Sequence, residues 1–226
     1  MNKENLTSKV ASSLDSTLLR ATATKQELTQ LCKDAQKYGF ASVCVNPCNI
    51  SFCKNLLTSV KVCTVIGFPL GANTTEIKVA EAIGAKENGA SEFDVVINIG
   101  AAIDGNFDYI KEELNQIVKV INGATLKVIL ETCYFSSEQI VVLSKVALEC
   151  GANFLKTSTG FGTYGATVEV VKLLSKTADG KAGVKASGGI KTLKDVLAFL
   201  DAGATRIGTS NAVKIIKEIE VSDGVK

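Results

Sequence analysis

Two lysines close two short apolar runs, Asn153-Phe154-Leu155-Lys156 and Gly183-Val184-Lys185. Small residues follow each at once: Thr157-Ser158-Thr159-Gly160 after the first, Ala186-Ser187-Gly188-Gly189 after the second. An apolar run of this kind reads as a buried strand. Each lysine therefore brings an amine to a strand mouth, beside backbone amides able to hold an anion. An ordinary lysine, with a pKa of about 10.4, is protonated at neutral pH and is no nucleophile. Desolvation and a neighbouring cation both favour the uncharged amine, which attacks carbonyls to form a Schiff base. On adjacent strands, roughly 5 Å apart, Lys185 would be that cation for Lys156. The competing reading is a lysine snorkelling to water from a strand end. It suits one such lysine better than two in the same setting.

Asp94 interrupts a third apolar run, Phe93-Asp94-Val95-Val96-Ile97. A buried carboxylate needs a partner, and inward-facing lysines would supply one. Its role is then either a proton shuttle in imine chemistry or a structural salt bridge. Asp15, in Leu14-Asp15-Ser16-Thr17, has the same two readings and is carried among the substrate-binding candidates. Three glycine-bearing loops are candidate phosphate cradles: Thr157 to Gly162, Ser187-Gly188-Gly189, and Gly208-Thr209-Ser210. Thr157, Gly160, Ser187, Gly188, Gly189, Gly208 and Ser210 are the expected contacts, through backbone amides and hydroxyls. Lys191 either adds charge there or simply opens a helix. Asn98 and Glu131 stand at strand ends. Cys44 is expected to pack in the core, and Lys127, read at a strand start, to be structural.

Composition narrows the chemistry. The chain of 226 residues has no histidine. Histidine-based hydrolase triads and the usual catalytic zinc ligands are thereby excluded, leaving Asp, Glu, Lys, Tyr or Cys for acid–base work. Four of the seven cysteines, Cys44, Cys48, Cys53 and Cys63, lie close in sequence but form no Cys-x-x-Cys pair, a weak case for zinc. No metal and no cofactor is expected. A net charge of +2 with scattered basic residues gives no support to nucleic-acid or membrane-surface binding. The polar N-terminus does not read as a signal peptide, and no apolar run is long enough to span a membrane. The cysteines are expected to be reduced thiols in a cytoplasmic protein.

The elements that must carry these residues alternate regularly. Helical spacing runs through Thr24 to Tyr38, and strand-like runs through Ala41 to Val45, Val60 to Ile66, Phe93 to Ile99 and Leu126 to Leu130. Asn88-Gly89-Ala90, Asn122-Gly123-Ala124, Cys150-Gly151-Ala152 and Ala202-Gly203-Ala204 each mark a helix handing over to a strand. Counting a short strand at Leu14, the chain divides into eight strand–helix units of βα size. Such apolar strands between helices argue for a parallel sheet, and eight units predict a (β/α)8 TIM barrel. The expectation is one domain over residues 1–226 with a short N-terminal extension. The alternative, an open doubly wound sheet, lacks its Gly-x-Gly-x-x-Gly after an early strand.

Taken together, Ile66-Gly67-Phe68-Pro69-Leu70-Gly71, Asp94-Val95-Val96-Ile97-Asn98-Ile99-Gly100, Lys156-Thr157-Ser158-Thr159-Gly160-Phe161, Lys185-Ala186-Ser187-Gly188-Gly189-Ile190 and Gly208-Thr209-Ser210 resemble the deoxyribose-phosphate aldolase family. The likeness runs from about Leu14 to the last helix. It implies a metal-independent class I lyase. The reaction would be reversible cleavage of 2-deoxy-D-ribose 5-phosphate to acetaldehyde and D-glyceraldehyde 3-phosphate, in deoxyribose phosphate catabolism. Lys156 would form the Schiff base, Asp94 and Lys185 would exchange protons, and Gly188, Gly189, Gly208 and Ser210 would hold the phosphate. A homodimer is the expected assembly. One departure is Asp15-Ser16-Thr17 where the family often has Asp-His-Thr, with Arg20 in place of a lysine. The alternatives are another phosphate-binding barrel enzyme, transaldolase-like or an isomerase, and a non-catalytic binder of a phosphorylated ligand.

Overall fold

The computed structural model describes residues 3–221. Eight short parallel strands close into a barrel in chain order. They are β1 Leu14–Leu18, β2 Ser42–Val45, β3 Lys61–Ile66, β4 Glu92–Val96, β5 Thr125–Ile129, β6 Phe154–Lys156, β7 Gly183–Ser187 and β8 Arg206–Thr209. Closure comes from β1, whose Asp15 lies opposite Gly208 of β8 on one side and Ser42 of β2 on the other. The (β/α)8 expectation therefore stands, including the short strand at Leu14.

The helices are α1 Lys3–Ser13, α2 Lys25–Tyr38, α3 Ile50–Leu56, α4 Thr75–Glu87, α5 Ile99–Ile103, α6 Phe107–Ile121, α7 Ser137–Glu149, α8 Val168–Ala178, α9 Leu193–Asp201 and α10 Ala212–Val221. The N-terminal extension is α1, tied to α10 by Lys3 Nζ donating to the Glu220 carbonyl at 2.7 Å. Starts are set locally: Thr24 with Glu27, Ser136 with Gln139 and Thr192 with Asp195 form reciprocal capping boxes on α2, α7 and α9. The glycines marking helix ends in the sequence, Gly89, Gly123, Gly151 and Gly203, all take positive φ. Most strand and helix bounds shift by a residue or so, and one falls well short of expectation. The run read as a strand to Ile99 stops at Val96, because the Asn98 side chain accepts from Ala101 N–H and starts α5.

The barrel wall has two chemically distinct faces. Strand residues alternate in direction, and those turned outward (Val43, Val62, Phe93, Val95, Leu126, Val128, Leu155, Val184, Ile207) join the helices in one apolar core. Burying each such side chain contributes about 1.5–3 kcal/mol. The alternate positions, including Asp15, Glu92, Asp94, Lys127, Lys156, Lys185 and Arg206, turn inward. All but Arg206 are buried, and Arg206 is only 13% exposed along its side chain. The inside of this barrel is filled by charge.

Candidate active site

Lys156 ends β6 and Lys185 is mid-strand in β7, and the two are direct Cα partners in the parallel register. Both amines donate to one carboxylate oxygen: Lys156 Nζ and Lys185 Nζ each lie 2.6 Å from Asp94 Oδ2. The pairing anticipated from spacing alone is thus present, with Asp94 between the lysines. The Asp94 side chain is fully buried. Burial works to raise its pKa, but the charges of Lys127, Lys156 and Lys185 hold the carboxyl well below the usual range. Burial likewise opposes a charged Lys185, yet Asp15 and Asp94 keep that amine well above an ordinary lysine. Lys185 is therefore a fixed cation beside Lys156.

Lys127 is not where the sequence placed it. It sits mid-strand in β5 with its amine inside the barrel, 2.9 Å from Asp94 Oδ1, 2.6 Å from Glu92 Oε2 and 3.1 Å from Cys63 Sγ. Its role is still to hold other side chains, but it holds the candidate catalytic carboxylate. Asp15 also needs correction as a substrate contact. Its carboxylate is enclosed below the site, 2.6 Å from Lys185 Nζ and 2.7 Å from Arg206 Nη1, and receives the Ser42 hydroxyl at 2.7 Å. The inward side of a strand start leads into the barrel, away from its mouth.

Above the amines opens a cavity of about 370 Å³ lined by Lys156, Lys185, Gly160, Ser187, Gly188, Gly189, Gly208 and Ser210. Arg20 and Lys191 also reach it, and no carboxylate among the described residues lines it. The field inside therefore favours an anion. Gly188 must be glycine: its φ is +88°, and a Cβ would lie 2.8 Å from Gly165 Cα in the loop after β6. Gly208 has a different reason, since a Cβ there would press to 3.1 Å of Lys185 Cε. Thr157 is the second correction. It does not line the cavity: its hydroxyl donates to the Ser187 carbonyl and accepts from Ser187 N–H, stitching β6 to β7. The Ser187 hydroxyl is similarly spent on the Ser158 carbonyl, at 2.6 Å. Cys44 lies buried in an apolar cluster with Cys63 and Val65, as core packing requires.

Sequence reasoning missed three participants. Glu92 and Arg206 open β4 and β8, and each fell at the edge of a run read simply as apolar. The available signal was parity, because both share the inward phase of their strands with Asp94 and Gly208. Glu131, noted only as a strand end, holds the loop after Lys156. Its carboxylate accepts from the Thr159 N–H at 3.3 Å and from the Thr159 hydroxyl. As for metal, Cys44, Cys63 and Asp94 are close enough together to share an ion, as are Asp15, Cys63 and Glu92. The Lys127 ammonium already contacts Cys63, Asp94 and Glu92, so a second cation there would meet it directly.

Comparison with known proteins identifies the family to which the chain belongs. The family described as DeoC/LacD family aldolase matches residues 9–215. The deoxyribose-phosphate aldolase of Caldanaerobacter subterraneus subsp. tengcongensis is 49% identical over 223 residues, covering 96% of each chain. That of Thermococcus gammatolerans is 50% identical over 214 residues, covering 92% of this chain and 95% of its own. Among solved structures, the tetrameric deoxyribose phosphate aldolase of Aeropyrum pernix superposes with a TM-score of 0.88 at 36% identity, over 95% of this chain and 92% of that one.

Proposed function

Because this chain belongs to the DeoC/LacD aldolase family, we propose that it is a lyase cleaving 2-deoxy-D-ribose 5-phosphate reversibly through a Schiff base on Lys156. The observation carrying the proposal is the Asp94 oxygen shared at 2.6 Å by two lysine amines on the floor of a cation-lined cavity. The uncharged Lys156 amine adds to the C1 aldehyde of the open-chain sugar, and the carbinolamine loses water to give a protonated imine. The C3 hydroxyl gives up its proton and the C2–C3 bond breaks, its electron pair passing into the imine to leave an enamine. D-Glyceraldehyde 3-phosphate departs, the enamine is protonated at C2, and water releases acetaldehyde from Lys156. Asp94 and the cationic Lys185 are the groups within reach to pass protons in these steps. The phosphate is held by the amides around Gly188 and Gly189, by Gly208 and Ser210, and by the charge of Arg20 and Lys191.

The reading also places the protein in deoxyribose phosphate catabolism, as a cytoplasmic homodimer. All seven cysteines are unpaired, which supports a reducing compartment. Sedimentation tests the assembly. The reaction is tested by borohydride reduction in the presence of substrate, with peptide mass mapping, and by a coupled assay for glyceraldehyde 3-phosphate. A mass increase on the Lys156 peptide together with triose phosphate release is expected. No adduct, or products of transfer or isomerisation, would overturn the proposal.

A further inference from the structure

Glu92 and Arg206 lie at the closed end of the barrel, out of reach of any substrate in the cavity, yet they are wired to the amines. Arg206 Nη1 donates to Asp15 Oδ1 at 2.7 Å and to Glu92 Oε2 at 2.9 Å. From Asp15 the chain of contacts passes to Lys185 at 2.6 Å, and from Glu92 through Lys127 at 2.6 Å to Asp94 at 2.9 Å. Both routes end on the carboxylate that Lys156 contacts. The barrel thus encloses three carboxylates, Asp15, Glu92 and Asp94, against four basic groups, Lys127, Lys156, Lys185 and Arg206. Among the described residues, the other titratable groups around them are the thiols of Cys44 and Cys63, the buried Glu131 carboxylate that holds Thr159 beyond Lys156 and, from the rim, Lys61, 3.3 Å from Glu92 Oε1. With thiols neutral and every amine protonated, the seven ion-paired groups carry one more positive charge than negative, in an interior where unbalanced charge is costly. Lys156 is the cluster's amine that ends its strand at the mouth, facing the cavity.

We propose that Glu92 and Arg206 are positioning residues for imine formation, acting through Lys127 and Asp15 to set the charge balance that leaves one amine free to attack. The inference rests on the function proposed above. A scaffold role alone would change rates or stability with no ordered effect on pH dependence; a charge-balance role has a sign. Arg206→Gln removes a positive charge, makes proton loss harder and moves the acid limb of the kcat/KM and borohydride-trapping profiles up by about one pH unit. Glu92→Gln removes a negative charge and moves the limb down by a similar amount. Arg206→Lys keeps the charge and leaves the limb near its wild-type position. Lys61→Gln, whose side chain is 57% exposed, folds whatever the buried variants do and moves the limb up by a few tenths of a unit. Opposite shifts from the two charge-removing variants, or the required shift in whichever folds, support the proposal. Shifts of the same sign, or limbs that stay in place, overturn it. If the wild-type chain itself gives no adduct, it is the aldolase reading that fails.

Discussion

Asp94 is the residue on which the site turns. One oxygen takes both Lys156 and Lys185 and the other takes Lys127, so three amines converge on a single buried carboxylate. Replacing Lys156 with Leu should leave the barrel folded, since that side chain stands at the mouth. Turnover should fall by on the order of 10⁴-fold or more, because Lys185, the amine beside it, is held as a cation by Asp15 and Asp94. Borohydride labelling should vanish in the same variant, and substantial residual turnover would count against the assignment. Asp94→Asn removes the shared anion and a proton carrier, and a loss of about 10²–10⁴-fold in kcat is expected. Gly188→Ala addresses the other end of the substrate. Its Cβ would displace the Gly165 backbone and its φ of +88° would be strained, so the amide cradle should deform. KM for the phosphorylated sugar should rise by about tenfold, while kcat/KM for unphosphorylated 2-deoxyribose changes little; equal losses on both substrates would contradict a phosphate role.

Among the elements, α4 and α6 make the most informative contact outside the barrel. Lys78 of α4 and Glu113 of α6 are fully buried and pair at 2.7 Å, and Lys78 Nζ also donates to the Val96 carbonyl at the end of β4. The lysine stem runs beneath Gly67, whose N–H donates to Glu81 at 2.7 Å. Burial depresses the lysine and raises the glutamic acid, so desolvation outweighs their mutual attraction. The pair therefore orients the loop after β3 and contributes little net stability. Lys78→Met alone should cost about 3–5 kcal/mol, because it strands a buried carboxylate. Lys78→Met with Glu113→Leu should be close to neutral. Urea denaturation of the single and double variants decides it, and additive losses would refute the argument.

At the level of the molecule, the charged interior predicts how stability depends on pH. Asp15, Glu92 and Asp94 are all held below their ordinary values by neighbouring cations, despite burial that works to raise them. Their contribution is present above the unfolded values of 3.8 and 4.5, and is lost as pH falls through the lower folded values. Lys127 and Lys185 are held above 10.5, so their contribution is complete below that value and fades only as pH rises beyond it. Glu113, raised by burial, adds a small opposite slope just above 4.5. The melting temperature should accordingly fall steeply below about pH 4. A melting temperature that held unchanged well below pH 4 would mean that Asp15, Glu92 and Asp94 are not ionised as described.

Barrel, repeat count and the Lys156–Lys185–Asp94 trio were all legible in the residues. The 3.6-residue and two-residue periodicities are local, and so are the glycines that must take positive φ at helix ends. A charged residue inside an apolar strand announces itself for the same reason. What lies opposite what could not be read this way. Lys127 looked structural and remote, and Asp15 looked like a substrate contact, until closure of β1 on β8 brought residues separated by up to 191 positions into one ion network. Thr157 looked like part of the anion cradle until the β6–β7 register turned its hydroxyl onto Ser187. Local sequence sets which chemistry each strand carries and which face it presents. The partners of those faces are set by barrel closure, because a side chain's charge state and contacts inside a barrel depend on the strands across from it.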